Sequence, residues 1–167
     1  VIVAGMWAPR TLSVPALRGM APFGTFLAIA ALGQMLVVMT GGIDLSAPGT
    51  LTLAAVLTVG VGRSADERLL VALGAAFVAV MAVGLVNGLL IGGIGLNPLI
   101  VTLAVGQIVN GVAYRYFTAH AIQTPIAPSI AAWTAARWFG VTRTFWLGIA
   151  LTLLDRKSTR LNSSHRT

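Results

Sequence analysis

Long stretches without a single charged residue constrain this chain more than any motif in it. No Asp, Glu, Lys or Arg lies between Arg18 and Asp44, between Asp44 and Arg63, or between Arg68 and Arg115. A helix that crosses the hydrocarbon core of a bilayer needs about 20 mainly apolar residues rising about 1.5 Å each. The first two stretches therefore hold one span apiece, and the third is long enough for two. Apolar residues make up 57% of the chain and charged ones 9%, a balance that a water-soluble domain of this length cannot hide in one core. The expected fold is all-α, a polytopic transmembrane helix bundle.

Asp44 is the exception within this apolar sequence. Taking a lone carboxylate toward lipid costs roughly 2.5–3.5 kcal/mol on insertion scales, so it persists where it meets protein, water or a helix end. It belongs to Gly41-Gly42-Ile43-Asp44-Leu45-Ser46. Glycine closes helices because it enters the left-handed region without steric penalty, so Gly41-Gly42 ends a span that starts near Pro22 and runs to Thr40. A third span opens after the motif and reaches about Val61, with Asp44 or Ser46 as its cap and Pro48 tolerated in its first turn. Arg63, Asp66, Glu67 and Arg68 make a solvated turn.

The fourth span covers about Leu69 to Ile91. Small residues let helices approach closely in lipid, which predicts burial for the face carrying Gly74, Ala75 and Ala82. Gly92-Gly93-Ile94-Gly95-Leu96-Asn97-Pro98 is a second break, where Pro98 disfavours helical geometry at Asn97. A fifth span follows from about Leu99 to Tyr114. Thr118 to Arg143, with Trp133, Trp138 and Phe139, has the aromatic character of a segment lying at the membrane boundary. A sixth span begins near Thr144, and an incomplete first one ends near Trp7, Ala8 and Pro9. The piece thus holds five to six spans.

Both ends read as cut. Val1 to Ala8 is an apolar run without an initiator Met, a basic leader or a cleavage site. From Asp155 the chain reads DRKSTRLNSSH where an apolar run is under way, and this string resembles the in-frame translation of a sequencing-library adapter. Residues 1–154 are accordingly expected to form a partial membrane domain and residues 155–167 a non-native, disordered tail. The tail carries four basic residues and one acidic residue, so the remainder has a formal charge of +4 against +7 for the whole.

Several classes are disfavoured. With no cysteine there is neither a disulfide framework nor a thiolate metal site, and His120 and His165 have no second ligand at metal spacing. The arginines are scattered singly through short connections and form no stripe for nucleic acid. They do not orient the bundle either, since the Arg10/Arg18, Arg63/Arg68 and Arg137/Arg143 connections carry two each and cannot all lie on one side. An intramembrane aspartyl protease needs a second carboxylate to share a proton with Asp44, and Asp66 and Glu67 sit in a turn at the membrane edge. Serine chemistry at Ser46 lacks a nearby base. A non-transporting membrane scaffold is the remaining alternative outside transport.

The order GGIDLS at Gly41 to Ser46, VNGLL at Val86 to Leu90 and NPLIVTLA at Asn97 to Ala104, followed by a G-x-x-x-G-like helix, resembles the permease subunits of bacterial ABC importers for ribose and related sugars. The resemblance covers nearly all of residues 1–154. It implies a multi-pass subunit of the inner membrane that works with a second permease copy, cytoplasmic ATPases and an extracytoplasmic sugar-binding protein, and that holds no cofactor and is not itself a catalyst. Related permeases for branched-chain amino acids or nucleosides share the architecture. Ala47-Pro48-Gly49-Thr50 departs from the Val-Gly-Ser-like run usual in the family, and the loop that docks the ATPase lies beyond the cut.

A sugar pathway needs polar groups on inward helix faces and broken helices whose backbone lines a cavity. The candidates are Gln34, Thr40, Asp44, Ser46, Asn87, Asn97, Thr102, Gln107 and Asn110, with Gly41, Gly42, Gly92 and Gly93 as the glycines of the breaks. Each polar side chain has a structural alternative, joining neighbouring helices or capping a helix end. Asp44 is expected to hold the turn of its motif beside the pathway.

Overall fold

The structure is a computed structural model that describes residues 13–120 and 126–163. It is built almost wholly of helices, as the apolar runs require. Among the described residues there are six: α1 (Val14–Met39), α2 (Ala47–Gly62), α3 (Leu69–Gly88), α4 (Pro98–Ala119), α5 (Pro128–Ala135) and α6 (Arg143–Ser163). A single 3-10 turn, Asp66–Arg68, leads into α3, and one π-helical turn, Leu89–Gly93, follows it. Two short antiparallel strands, β1 (Arg137–Trp138) and β2 (Val141–Thr142), pair Trp138 with Val141 and Arg137 with Thr142. The expected first span, ending near Trp7, Ala8 and Pro9, lies outside the described residues.

Several boundaries differ from the sequence expectation, each for a local reason. Helix α1 starts at Val14 and carries Pro22 inside it. The Ser13 hydroxyl oxygen accepts the Ala16 N–H at 3.4 Å at its start. A proline inside a membrane helix is tolerable because neighbours re-satisfy the freed carbonyl. Helix α4 continues past Tyr114 to Ala119. Helix α6 does not stop at Leu154 but runs on to Ser163, so the sequence that reads as a disordered tail is helical over most of its length. Between α2 and α3, Arg63 and Ser64 both take left-handed backbone, at φ 46° and 58°. Asp66 then ties this turn to α5 by accepting the Ser129 N–H at 3.0 Å.

The chain divides into two compact units, Leu36–Ala131 and Val1–Met35 with Ala132–Thr167. In the first, α2, α3 and α4 share a core of Leu53, Val83, Val109 and Ala113, with Leu57, Ala79 and Val105 packed against it. The face of α3 turned inward carries Ala72, Ala76, Val83 and Asn87. That corrects the expected face, since Gly74 and Ala82 are exposed and Ala75 is half-buried. Small and apolar residues surround α3 on every side, so composition alone marks no inner face. In the second unit α6 meets α1 where Gly148 faces the Thr25 methyl group. There Trp146 Nε1 donates to the Trp138 carbonyl at 3.1 Å and the Arg143 guanidinium stacks over the Trp138 ring at 5.3 Å.

Helices α2 and α4 of the first unit meet backbone to backbone. A Cβ on Gly49 of α2 would stand 2.5 Å from the Gly106 carbonyl oxygen of α4, and one on Gly106 would stand 2.9 Å from Ser46 Cα and 3.1 Å from the Leu45 oxygen. Only glycine at both positions permits this approach, the device by which helices associate where lipid gives no hydrophobic incentive.

Apolar side chains cover much of the surface, and polar side chains join the apolar ones inside. Large apolar side chains point outward along the helices, among them Leu27 at 72% exposure, Leu70 at 83% and Phe77 at 67%, while Thr25, Ser46, Asn87, Thr102 and Thr144 are buried. By length and composition two helical segments, Val14–Met39 and Asp66–Gly93, are long and apolar enough to cross a membrane. Ala47–Gly62 and Arg143–Leu153 are shorter apolar helices. The expected all-α helix bundle is observed, and of the five to six expected spans two described segments are long and apolar enough to cross a membrane by length and composition.

Candidate functional site

Helix α1 ends in a closed Schellman turn. Gly42 N–H donates to the Val37 carbonyl at 3.2 Å and Gly41 N–H to the Val38 carbonyl at 2.9 Å. Gly41 supplies the left-handed residue, at φ +79°, which a side chain would disfavour. The chain then runs without regular structure from Gly42 to Ser46 before α2 begins. Its polar atoms find partners on distant helices. Leu45 N–H donates to Thr102 Oγ1 of α4 at 3.0 Å. The Thr102 hydroxyl proton goes to the Pro98 carbonyl at 2.8 Å, with the Ile43 carbonyl at 3.3 Å as the longer alternative.

Ser46 occupies the N-cap position of α2 but makes no side-chain cap, contrary to the expectation that it or Asp44 would close that helix end. Its hydroxyl is drawn into a relay instead. Asp44 Oδ1 accepts both the Ser46 N–H at 2.7 Å and the Ser46 O–H at 2.6 Å, and Asn87 Nδ2 of α3 donates to Ser46 Oγ at 2.9 Å. Hydrogen bonds to a carboxylate are about twice as strong as neutral ones, and Ser46 is almost fully buried, at 1% exposure. Asp44 thus grips Ser46 within the turn of its motif and does not cap the helix.

A cavity of about 430 Å³ opens beside this relay, between the end of α1, the Gly41–Asp44 turn, the end of α3 and the start of α4. Of the candidate residues, Thr40, Asp44, Asn87 and Thr102 line it, together with Gly41, Gly42 and Gly92, while Ser46 lies behind as the link between Asp44 and Asn87. The remaining candidates are elsewhere. Asn97 is the N-cap of α4 and accepts the Leu99 N–H at 2.9 Å. Gln107 and Asn110 are exposed on α4, Gln34 is half-buried on α1, and Gly93 lies in the π-helical turn away from the lining. Gly84 and Gly88, which shape the cavity wall from α3, escaped the sequence reading. Their signal is present, since they flank Asn87 at three residues before and one after. Among the described residues no three His, Cys, Asp or Glu side chains gather to hold a metal ion.

A helix bundle with an apolar surface and a polar cavity at its helix breaks has the architecture expected of a membrane permease. The chain belongs to the family described as the permease component of the branched-chain amino acid transport system, whose profile matches residues 17–154. It is 29% identical over 153 residues to the L-arabinose transport system permease protein of Escherichia coli (strain K12), which covers 92% of this chain and 46% of the relative. It is 35% identical over 117 residues to the galactofuranose transporter permease protein of the same organism, covering 68% of this chain and 31% of the relative. A probable ABC transporter permease protein of Sinorhizobium fredii (strain NBRC 101917 / NGR234) is 32% identical over 116 residues, covering 68% and 34%. The chain thus spans less than half the length of these relatives. No solved structure matches it.

Proposed function

We propose that this chain is part of the membrane-spanning permease subunit of an ATP-driven sugar importer, and that the cavity at the Gly41–Ser46 break is a section of its translocation pathway. The observation that carries the reading is the convergence of Thr40, Asp44, Asn87 and Thr102 on one cavity inside a bundle whose outer surface is apolar. The transport systems named for the relatives, for L-arabinose and galactofuranose, support a sugar as cargo. The protein is a multi-pass component of the bacterial inner membrane. It pairs with a second permease copy, receives sugar from an extracytoplasmic binding protein, and leaves ATP hydrolysis to a separate cytoplasmic ATPase, so it is not itself an enzyme.

The family description raises a branched-chain amino acid as the second reading. Asp44 would suit its ammonium group. Its carboxylate would then need a cation, and no Arg, Lys or His lines the cavity. A sugar has no such requirement. Reconstitution of the complete importer in liposomes, with uptake of radiolabelled L-arabinose, D-ribose, D-galactose and L-leucine measured side by side, separates the two. ATP-dependent uptake of at least one sugar and none of leucine is expected; uptake of leucine alone would overturn the sugar reading.

A further inference from the structure

We infer that Asn87 reads a hydroxyl group of the transported solute, its side-chain oxygen accepting a hydrogen bond from a neutral polyhydroxylated molecule seated in the cavity beside the Gly41–Ser46 break. The inference rests on the importer reading above and adds to it the residue that recognises the cargo.

Proton placement in the relay fixes which way the Asn87 amide faces. An ionised carboxylate can only accept, and the Ser46 hydroxyl, 2.6 Å from Asp44 Oδ1, has one proton to give. That proton goes to Asp44. Ser46 Oγ is left to accept, which it does from Asn87 Nδ2 at 2.9 Å. The amide is therefore oriented with its nitrogen toward Ser46 and its oxygen away from it. That oxygen has no hydrogen-bond partner, although Asn87 is 8% exposed and lines the cavity. Buried side-chain acceptors are nearly always paired, so an orphan at a cavity wall calls for a donor that the protein itself does not supply.

The space beside Asn87 suits such a donor. A Cβ built on Gly84, Gly88 or Gly92 meets nothing within 4 Å, so the helix surface around the amide is open where these glycines line the cavity. The volume of about 430 Å³ falls within the roughly 300–1,000 Å³ typical of small-molecule sites. No Arg, Lys or His is present to attract an anion, and the Asp44 carboxylate is already engaged by two Ser46 donors. A neutral molecule rich in O–H donors, with C–H surface to rest on glycine backbone, meets these conditions.

The test uses the complete importer in liposomes, carrying wild-type permease, Asn87→Ala or Asn87→Ser. The probes are D-ribose, L-arabinose and D-galactose, each with its monodeoxy analogues. For one hydroxyl position the wild type is expected to favour the parent sugar over the deoxy analogue by about 10- to 100-fold in kcat/KM, the penalty of leaving a buried acceptor unpaired. In Asn87→Ala the parent falls to the level of that analogue and the ratio collapses toward one. Selectivity that belongs to the binding protein is common to all variants and cancels in the comparison. If Asn87→Ala does not assemble, Asn87→Ser is read in the same way. A purely structural role in holding Ser46 would slow every sugar equally and leave the ratios unchanged, which would overturn the inference while leaving the sugar importer standing. Absence of uptake of every sugar overturns both.

Discussion

Two glycine-bearing breaks interrupt the helices of the first unit, and they are built on opposite principles. At Gly41–Ser46 the chain sends its polar atoms to two other helices: Leu45 N–H to Thr102 on α4, and Asp44 through Ser46 to Asn87 on α3. At Leu89–Asn97 the bonds close on themselves. Ile94, Gly95 and Leu96 donate to Leu89, Ile91 and Leu90, each at 3.1 Å, and Asn97 caps the helix it begins. Residues Gly92 to Asn97 are exposed, whereas Ser46, Asn87 and Thr102 are buried. A glycine pair followed by a capping residue is thus not enough to make a site. What differs is whether backbone groups freed by the break are satisfied by side chains on other helices or within the break itself.

The largest expected effect is at the crossing that brings the first break against α4. Gly49→Ala places a methyl group against the Gly106 carbonyl, and backbone cannot yield as a flexible side chain does. Loss at the upper end of the roughly 1–3 kcal/mol typical of overpacking is expected, read as a lowered unfolding midpoint of the purified protein in detergent. Unchanged stability would show that α2 and α4 are not in backbone contact. Ser46→Ala comes next. It removes the acceptor of Asn87 and one donor to Asp44 in a buried place, with a cost of about 2 kcal/mol by the same measurement.

Smaller effects compare the breaks directly. Gly41→Ala forces a side chain into left-handed backbone at a cost of about 1 kcal/mol. Asn97→Ala, in the second break, loses a local cap worth about 1 kcal/mol and should leave transport in the complete importer close to wild type, since Asn97 does not line the cavity. A strong transport defect there would erase the distinction between the two breaks. The smallest change is Gly92→Ala, whose methyl group meets nothing within 4 Å. It is expected to alter stability by less than about 0.5 kcal/mol, and a denaturant titration showing a larger loss would mean that the second break is packed against something.

The sequence was legible where chemistry is local. Gly41 closes α1 because the left-handed region is open to it, and Asn97 caps α4 because Pro98 keeps the preceding residue out of the helix. Charge-free runs located α1 to α4 within a few residues at most ends. The inner face of α3 was not legible. In a bundle coated with apolar side chains hydrophobicity does not distinguish core from lipid, so Ala72 and Ala76 look no different from Gly74 and Ala82. Nor was the partner of Ser46 legible, since Asn87 lies far along the chain and on another helix. The pairing follows from how α2 and α3 pack, which no local pattern records. Asp44, Asn87 and Thr102 were identified as polar residues needing a reason, but the reason is visible only in three dimensions.

The meeting of Gly49 with Gly106 also limits how such a chain can drift. When two side chains touch, an enlargement of one can be offset by a reduction of the other, and sequences wander along that line of compensation. Here neither residue has anything left to remove. A mutation at either position has no second-site remedy at the other, so the pair is frozen from both directions. Gly74 and Gly92, which have open space beside them, remain free to change.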